Sequence, residues 1–140
     1  MNRFLPVVLL IIFAAGISIG SRTPFLIQDE AAVITFEAEL IDFGTVQQGS
    51  EQVRTFEFTN AGKSPLVISA IKGQCGCTTI PNWSKEPIEP GGKGSFQVKY
   101  DTSIRTGLFD KKIMVYSNAS NCANGFSEVK IKGNVVPAGK

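Results

Sequence analysis

Hydrophobic and polar residues alternate along much of the chain from Val33 onward. The alternation is clearest in Ile34–Leu40, Phe56–Phe58, Phe96–Tyr100 and Val129–Val135. A period of two places successive side chains on opposite faces of a β-strand, so each stretch predicts a strand with one buried and one solvated face. Two further stretches, Leu66–Lys72 and Lys111–Ser117, are more evenly apolar or β-branched, which predicts strands nearer the middle of a sheet.

Turn residues separate these stretches. Clusters of glycine, proline and asparagine lie at residues 60–65, 87–92 and 124–125, and such residues favour the backbone angles of tight turns. No stretch after the N-terminal segment has the period of a helix. About seven short strands with regular turn signals predict an all-β, immunoglobulin-like β-sandwich over residues 33–136, followed by a tail over 137–140.

The first residues have the pattern of an export signal. Residues 1–21 begin with one cation, Arg3, and continue as an uncharged run rich in Leu, Ile, Val and Phe. The run also approaches the roughly 17–25 apolar residues of a membrane-spanning helix. We therefore predict a signal peptide or membrane anchor over 1–21 and a linker over 22–32. The domain is then exported to the periplasm or cell envelope, and it meets the inner membrane only through this segment if the segment is not cleaved.

Composition argues against several classes of function. The 14 Lys and Arg residues nearly balance the 12 Asp and Glu residues, so no positive patch indicates nucleic acid. The chain has no histidine, which is the commonest general base and a common metal ligand. It also has no nucleophile elbow, phosphate-binding loop or paired-carboxylate spacing. We therefore predict no enzyme activity and no cofactor.

Several motifs resemble, in order, those of a bacterial domain family of unknown function. They are Asp42-Phe43-Gly44, Phe56-Glu57-Phe58, Cys75-Gly76-Cys77-Thr78, Pro87-Ile88-Glu89-Pro90-Gly91 and Gly107-Leu108-Phe109. The resemblance covers about residues 36–136, and its hallmark is the Cys-Gly-Cys-Thr stretch. It implies an immunoglobulin-like sandwich akin to the abnormal-spindle, hydin and major-sperm-protein group, in proteins that are usually exported. It implies no activity, and Cys122 is not part of its motif.

Four interpretations of the three cysteines stay open. A disulfide from Cys75 or Cys77 to Cys122 would tie two loops together, as oxidising compartments favour. A disulfide between Cys75 and Cys77 would be easily reduced, because residues two apart on an extended strand have Cα atoms roughly 7 Å apart, at the limit of disulfide geometry. Gly76 would relieve this limit by letting the backbone fold more tightly. In the third interpretation, thiolates of Cys75 and Cys77, with Cys122 as a third ligand, bind a soft metal such as Cu(I). In the fourth, the small cysteines fill the core.

Trp83 lies in a proline-bounded loop near the cysteines. An exposed tryptophan would anchor a partner there, whereas a buried one would close an end of the sandwich. Taken together, the sequence predicts a non-catalytic interaction module of the bacterial cell envelope, which binds a protein or another envelope component through loops at one end. The alternative is a thiol–disulfide redox protein or a copper-binding protein that uses Cys75 and Cys77.

Overall fold

The structure is a computed structural model and describes residue 20 and residues 30–139. This part of the chain has eight strands and no helix. The strands are β1 (Ile34–Phe36), β2 (Leu40–Gln47), β3 (Glu51–Asn60), β4 (Ile68–Gly73), β5 (Thr78–Thr79), β6 (Lys93–Asp101), β7 (Gly107–Ser117) and β8 (Phe126–Val136). The predicted all-β sandwich is confirmed, with eight strands where the pattern predicts about seven.

The eight strands form two sheets of four strands each. The first sheet has the order β1-β3-β6-β5, and the second has the order β2-β8-β7-β4. Neighbouring strands are antiparallel, except β2 and β8, which run parallel. The longest pairings are β3 with β6 and β7 with β8. Because β4 and β5 follow each other in the chain but lie in different sheets, the segment between them crosses from one sheet to the other.

One predicted strand is divided in two. The alternation from Ile34 to Leu40 continues without a break in the sequence, but β1 ends at Phe36 and β2 begins at Leu40. The short bend between them carries the chain from the first sheet to the second, and Glu37 N–H and Glu39 C=O form hydrogen bonds with strands of the two sheets. Periodicity reports which face of a strand is buried, not which sheet the strand joins, so the pattern gives no sign of this division.

Phenylalanine rings fill the space between the sheets. Phe56, Phe58 and Phe96 are almost fully buried, as the alternation predicts for their strands. The rings of Phe56 and Phe96 stack with centroids 5.2 Å apart, and Phe36 packs against Phe58 at 5.9 Å. Burying such rings supplies a large part of the hydrophobic stabilisation of a domain of this size.

The two evenly apolar stretches take different places in the second sheet. Lys111–Ser117 lies in β7, which has neighbours on both sides, as predicted. Leu66–Lys72 includes most of β4, which is an edge strand, so its predicted central position is wrong. β4 buries Ile68 and Ile71 against the core, and its pairing with β7 is irregular between Ile68 and Ala70. The irregular register accounts for the absence of a clean alternation at a sheet edge.

Asparagine side chains join the loops at one end of the sandwich. These residues, Asn60, Asn118 and Asn121, define a region that we call the asparagine end. Asn60 is fully buried, and its Nδ2 donates hydrogen bonds to the carbonyl oxygens of Ser64 (2.7 Å) and Ile88 (2.9 Å). Its Oδ1 accepts hydrogen bonds from the backbone N–H groups of Gly62 (3.0 Å) and Val33 (3.4 Å). One side chain therefore satisfies backbone groups from three separate segments.

The other two asparagines act in the same way. The Asn118 side chain accepts a hydrogen bond from Val67 N–H at 2.8 Å and donates one to the Pro65 carbonyl at 3.0 Å. The Asn121 side chain accepts one from Ile34 N–H at 3.1 Å and donates one to the Ile34 carbonyl at 2.8 Å. The β3–β4 loop, the β7–β8 loop and the start of β1 are thereby held together.

The predicted N-terminal segment lies almost wholly outside the described residues. This holds for the signal peptide or anchor over 1–21 and for most of the linker over 22–32. The last linker residues already contact the domain, because Ala31 and Ala32 accept hydrogen bonds from the N–H groups of Lys63 and Ser120, both at 2.9 Å. Within the described residues, no helix has the length and hydrophobicity needed to cross a membrane.

Candidate functional site

Cys75 and Cys77 form a disulfide in the turn between β4 and β5. Their Cα atoms are 5.2 Å apart, inside the usual range for a disulfide, because the turn brings them closer than an extended strand would. Cys122 is a free thiol. The staple from Cys75 or Cys77 to Cys122 is therefore not formed, and the structure corrects that interpretation. We call the end of the sandwich formed by the Cys75–Cys77 turn and the β6–β7 loop the disulfide end.

Backbone contacts hold the turn in place independently of the disulfide. Thr78 N–H donates to the Cys75 carbonyl at 3.2 Å, and Asp101 N–H donates to the Cys77 carbonyl at 2.8 Å. At the end of β4, Gly73 lies so close to Thr78 that a Cβ atom on the glycine would come within 2.8 Å of the Thr78 carbonyl oxygen. Glycine is therefore required at position 73, where the chain leaves the second sheet and crosses to the first.

Gly76, between the two cysteines, has no such requirement. Its φ lies outside the left-handed region, and an added Cβ atom would meet nothing within 4 Å. The backbone at Gly76 does fold more tightly than an extended strand, with the cysteine Cα atoms 5.2 Å apart, but this conformation does not require glycine.

The disulfide borders a surface cleft of about 720 Å³. Both cysteines line it, together with the end of β6, the β6–β7 loop and the start of β7. Tyr100 and Phe109 also line the cleft, and their rings stack with centroids 3.9 Å apart. The β6–β7 side contributes two exposed apolar side chains, Ile104 (59% exposed) and Leu108 (89% exposed). The cleft thus combines a disulfide with two exposed aliphatic side chains, while the Tyr100 and Phe109 rings behind them are buried.

The charged residues of the cleft differ in how far they are already paired. Hydrogen bonds from the Ser103 hydroxyl and the Ser103 N–H lower the pKa of Asp101. This carboxylate is therefore already paired within the β6–β7 loop. Burial raises the pKa of Tyr100, which keeps the phenol neutral. Among the described residues, Arg105 and Lys111 form no salt bridge. These two cations are therefore available to an anion or a thiolate in the cleft.

Cys122 is separate from the disulfide. It lies in the β7–β8 loop at the asparagine end, half-buried, with Sγ 3.6 Å from Ser117 Oγ and 3.1 Å from Ser127 Oγ. The structure therefore does not bring the three cysteines together. A soft metal needs thiolates, which the disulfide form of Cys75 and Cys77 lacks. Within the described residues, no three Cys, Asp or Glu side chains are grouped as a metal site.

Trp83 lies beside β6 in line with β5, where it forms an isolated bridge with Phe96. It is half-buried and packs against the core, and the Lys85 ammonium lies 5.4 Å from the ring centroid. Its Nε1 is buried and has no hydrogen-bond partner among the described residues. This position along an edge of the first sheet favours packing over partner binding, and the role of Trp83 in binding stays a prediction.

Sequence reasoning missed Ile104 and Leu108. Gly107-Leu108-Phe109 stands out in the sequence only as part of a motif. A usable signal was present, because Phe109 is an inward residue of β7 and its neighbour Leu108 must then face outward. No comparable signal exists for Ile104, which lies in a loop.

Comparison with solved structures places the fold among immunoglobulin-like domains. A protein of unknown function from Porphyromonas gingivalis W83 matches with a TM-score of 0.64 and 18% identity, over 81% of this chain and 51% of that one. The secreted serine protease VesC from Vibrio cholerae matches with 0.58 and 16%, over 81% of this chain and 25% of that one. The chain thus spans about half and a quarter of these two proteins, and the likeness shows the fold alone.

A human domain gives the third comparison. The ASH/PapD-like domain 7 of human CEP192 matches with a TM-score of 0.56 and 13% identity, over 79% of this chain and 89% of that domain. This likeness shows the fold alone, and the fold is the ASH-like sandwich that the resemblance in the sequence implies. Among curated proteins, none matches the chain by sequence. A family model described as "Protein of unknown function (DUF1573)" matches residues 34–135, which confirms the resemblance seen in the sequence.

Proposed function

The chain belongs to the DUF1573 family of proteins of unknown function, and from this premise we propose that it is an exported, non-catalytic interaction module of the bacterial cell envelope. Its partner is a protein segment with apolar side chains, which binds in the cleft at the disulfide end. The immunoglobulin-like fold supports this proposal, because such sandwiches present loops at one end for recognition.

The observation that carries the proposal is the exposure of Ile104 and Leu108 in one cleft. Leu108 is 89% exposed although it sits in a well-paired strand, and Ile104 adds a second apolar side chain from the adjoining loop. Single apolar residues on a surface are ordinary, but a group beside an open cleft is typical of an interaction site. The stacked rings of Tyr100 and Phe109 lie behind this surface, because both are buried in the core.

Export is proposed from residues 1–21, whose pattern is that of a leader. A fusion of the full chain to alkaline phosphatase, which folds only outside the cytoplasm, tests this point. We expect phosphatase activity from the fusion and none from a matched fusion that lacks residues 1–21. Equal activity with and without these residues would contradict export through the leader.

Site-specific crosslinking tests the interaction. A photo-reactive amino acid is placed at Leu108 in one variant and at Val67, an exposed apolar residue at the asparagine end, in a control variant. We expect a discrete protein adduct in bacterial cells from position 108 only, and we expect the added change Ile104→Ser to weaken it. Adducts of the same size from both positions, or none from position 108, would contradict binding at the disulfide end.

A further inference from the structure

We propose that the Cys75–Cys77 disulfide is a redox-active site, which exchanges with the thiols of an apolar protein segment lying in the same cleft. This goes beyond the interaction module proposed above. The exchange chemistry is independent of that proposal. Only the choice of the client, which is the protein segment whose thiols exchange with the disulfide, rests on it.

Both sulfur-bearing residues are half-buried and line an open cleft. Gly76 lies between them without a side chain, and the space its Cβ would occupy is empty. An attacking thiolate must reach a sulfur atom directly, so access is a main determinant of the exchange rate. A disulfide that only stabilised the fold would gain nothing from this open approach.

The disulfide also joins no distant parts of the chain, because only one residue separates its cysteines. Hydrogen bonds hold the turn in place on both sides of the disulfide. Gln74 N–H donates to the Lys112 carbonyl at 2.9 Å, Lys112 N–H donates to Gln74 Oε1 at 3.1 Å, and Asp101 N–H donates to the Cys77 carbonyl at 2.8 Å. These bonds do not involve sulfur, so the turn keeps its path when the disulfide opens.

The two cysteines have different surroundings, which assigns them different roles. Cys77 packs against the hydrophobic core, whereas Cys75 is not among the residues of that packing. The Thr78 hydroxyl lies 3.8 Å from Cys75 Sγ and is able to donate a hydrogen bond to a thiolate there. Cys75 is therefore the sulfur that forms the mixed disulfide, and Cys77 is the resolving cysteine.

The exchange is balanced within the two partners. A client thiolate attacks Cys75 Sγ, the Cys75–Cys77 bond breaks, and Cys77 leaves as a thiolate. The second client thiolate then attacks the client sulfur of the mixed disulfide and releases Cys75 as a thiolate. The client gains a disulfide, the domain gains two thiols after protonation, and two electrons pass from client to domain. Arg105 and Lys111 line the same cleft and favour the thiolates formed on the way.

Exposed Ile104 and Leu108 define the client, because they line the same cleft as the disulfide. A cysteine next to apolar residues gains contact area there, whereas a cysteine among small polar residues does not. The acidic and basic side chains of the cleft, Asp101 and Asp110 against Arg105 and Lys111, balance each other. Apolar character therefore distinguishes clients better than charge.

The test uses the full chain in a Cys122→Ser background, so that every thiol counted belongs to the pair. The oxidised protein is mixed with reduced glutathione, free thiols are alkylated at intervals, and intact mass reports their number. We expect glutathione to open the disulfide in the folded protein. Persistence of the disulfide until the protein is unfolded would overturn the proposal and make the bond purely structural.

Two single variants test the roles of the cysteines. With Cys77→Ser we expect Cys75 to form a mixed disulfide with oxidised glutathione rapidly, and with Cys75→Ser we expect Cys77 to react several-fold more slowly. Equal rates, or faster reaction at Cys77, would overturn the assignment. In the Cys77→Ser protein, Thr78→Val should raise the pKa of Cys75, followed by the ultraviolet absorbance of the thiolate. An unchanged pKa would remove Thr78 from the site.

Client choice is tested with two synthetic peptides that each carry one cysteine, one among leucines and one among glycines and serines. We expect the apolar peptide to open the disulfide several-fold faster, and we expect this advantage to disappear when Ile104 and Leu108 are both changed to serine. Equal rates with the unaltered protein would overturn the assignment of the client. Because glutathione exchange does not need the client surface, this failure is distinguishable from failure of the redox site itself.

Discussion

The asparagine end and the disulfide end differ in what their loops do with their side chains. At the asparagine end, side-chain amides of Asn60, Asn118 and Asn121 satisfy backbone groups of neighbouring segments. At the disulfide end, Thr102 and Gln48 join two loops, but Ile104 and Leu108 stay exposed beside an open cleft. One end is closed by side-chain amide hydrogen bonds, of which those of Asn60 are buried, and the other leaves apolar side chains and a disulfide accessible.

The contrast predicts that the disulfide contributes little to the stability of this fold. A buried polar group that loses its partner is costly to the folded state, whereas a disulfide that closes a ring of three residues restricts the unfolded chain very little. The close backbone approach at Gly62 supports the same conclusion, because an added Cβ there would come within 2.5 Å of Val33 N. We therefore assign stability to the core and the asparagine end, and function to the disulfide end.

The largest effect is expected from the core, which both ends share. Phe58→Ala should lower the free energy of unfolding by about 3–5 kcal/mol, because Phe58 is almost fully buried and its ring packs against Phe36 and Phe96. Trp83→Ala should cost clearly less, since Trp83 is half-buried at a sheet edge. Chemical denaturation of both variants checks this. An equal loss for Trp83→Ala would make that loop part of the core.

Asn60→Ala should give the next largest loss, about 2–4 kcal/mol, because several backbone groups lose their partner at a buried site. The matched control at the other end is Gln74→Ala, which also removes a side-chain hydrogen bond to the backbone, but at an exposed position. Its loss should stay near about 1 kcal/mol or below. Equal losses in urea denaturation would erase the difference between the two ends.

Removing the disulfide should have a smaller effect. The double change of Cys75 and Cys77 to serine should cost about 1.5 kcal/mol or less, since the closed ring contains so few residues. Cys122→Ser, which removes no covalent link, is the control. Thermal melts of both proteins under oxidising conditions make the comparison. A loss for the double variant as large as that of Asn60→Ala would show that the disulfide supports the fold.

The smallest effect on stability is expected at the cleft surface. Leu108→Ser should change the free energy of unfolding by no more than about 0.5 kcal/mol, because the side chain is 89% exposed. With the photo-reactive amino acid placed at Ile104 instead, the same change should weaken the crosslinking expected at this end. Thermal melts check the first expectation, and a large loss of stability would mean that Leu108 packs within the domain instead of contacting a partner.

Much of the fold is predictable because it rests on alternation and turn residues. The inward positions of Phe56, Phe58 and Phe96 follow from period two alone. The division between Phe36 and Leu40 and the edge position of β4 are not predictable in this way, because they depend on which strand pairs with which. Strand pairing is set by contacts between distant segments, and a single sequence carries little trace of them.

The site is less predictable than the fold. The sequence identifies Cys75 and Cys77, but their pairing depends on a turn that shortens the Cα separation to 5.2 Å. Asn60 and Asn118 look like ordinary turn residues, and their bonds to distant backbone groups appear only in three dimensions. The cleft forms where the β4–β5 turn meets the β6–β7 loop, so it depends on the packing of the two sheets.

Hydrogen exchange of backbone amides, measured with and without a reductant, tests the central claim most directly. The claim is that the core and the asparagine end hold the fold and that the disulfide end can change chemically without loss of structure. We predict that reduction lowers protection at most at the Thr78 amide inside the turn, while Asp101, whose hydrogen bond holds the turn, and Gly62, Ile88 and Asn60 keep theirs. A loss of protection at the asparagine end on reduction would contradict this account.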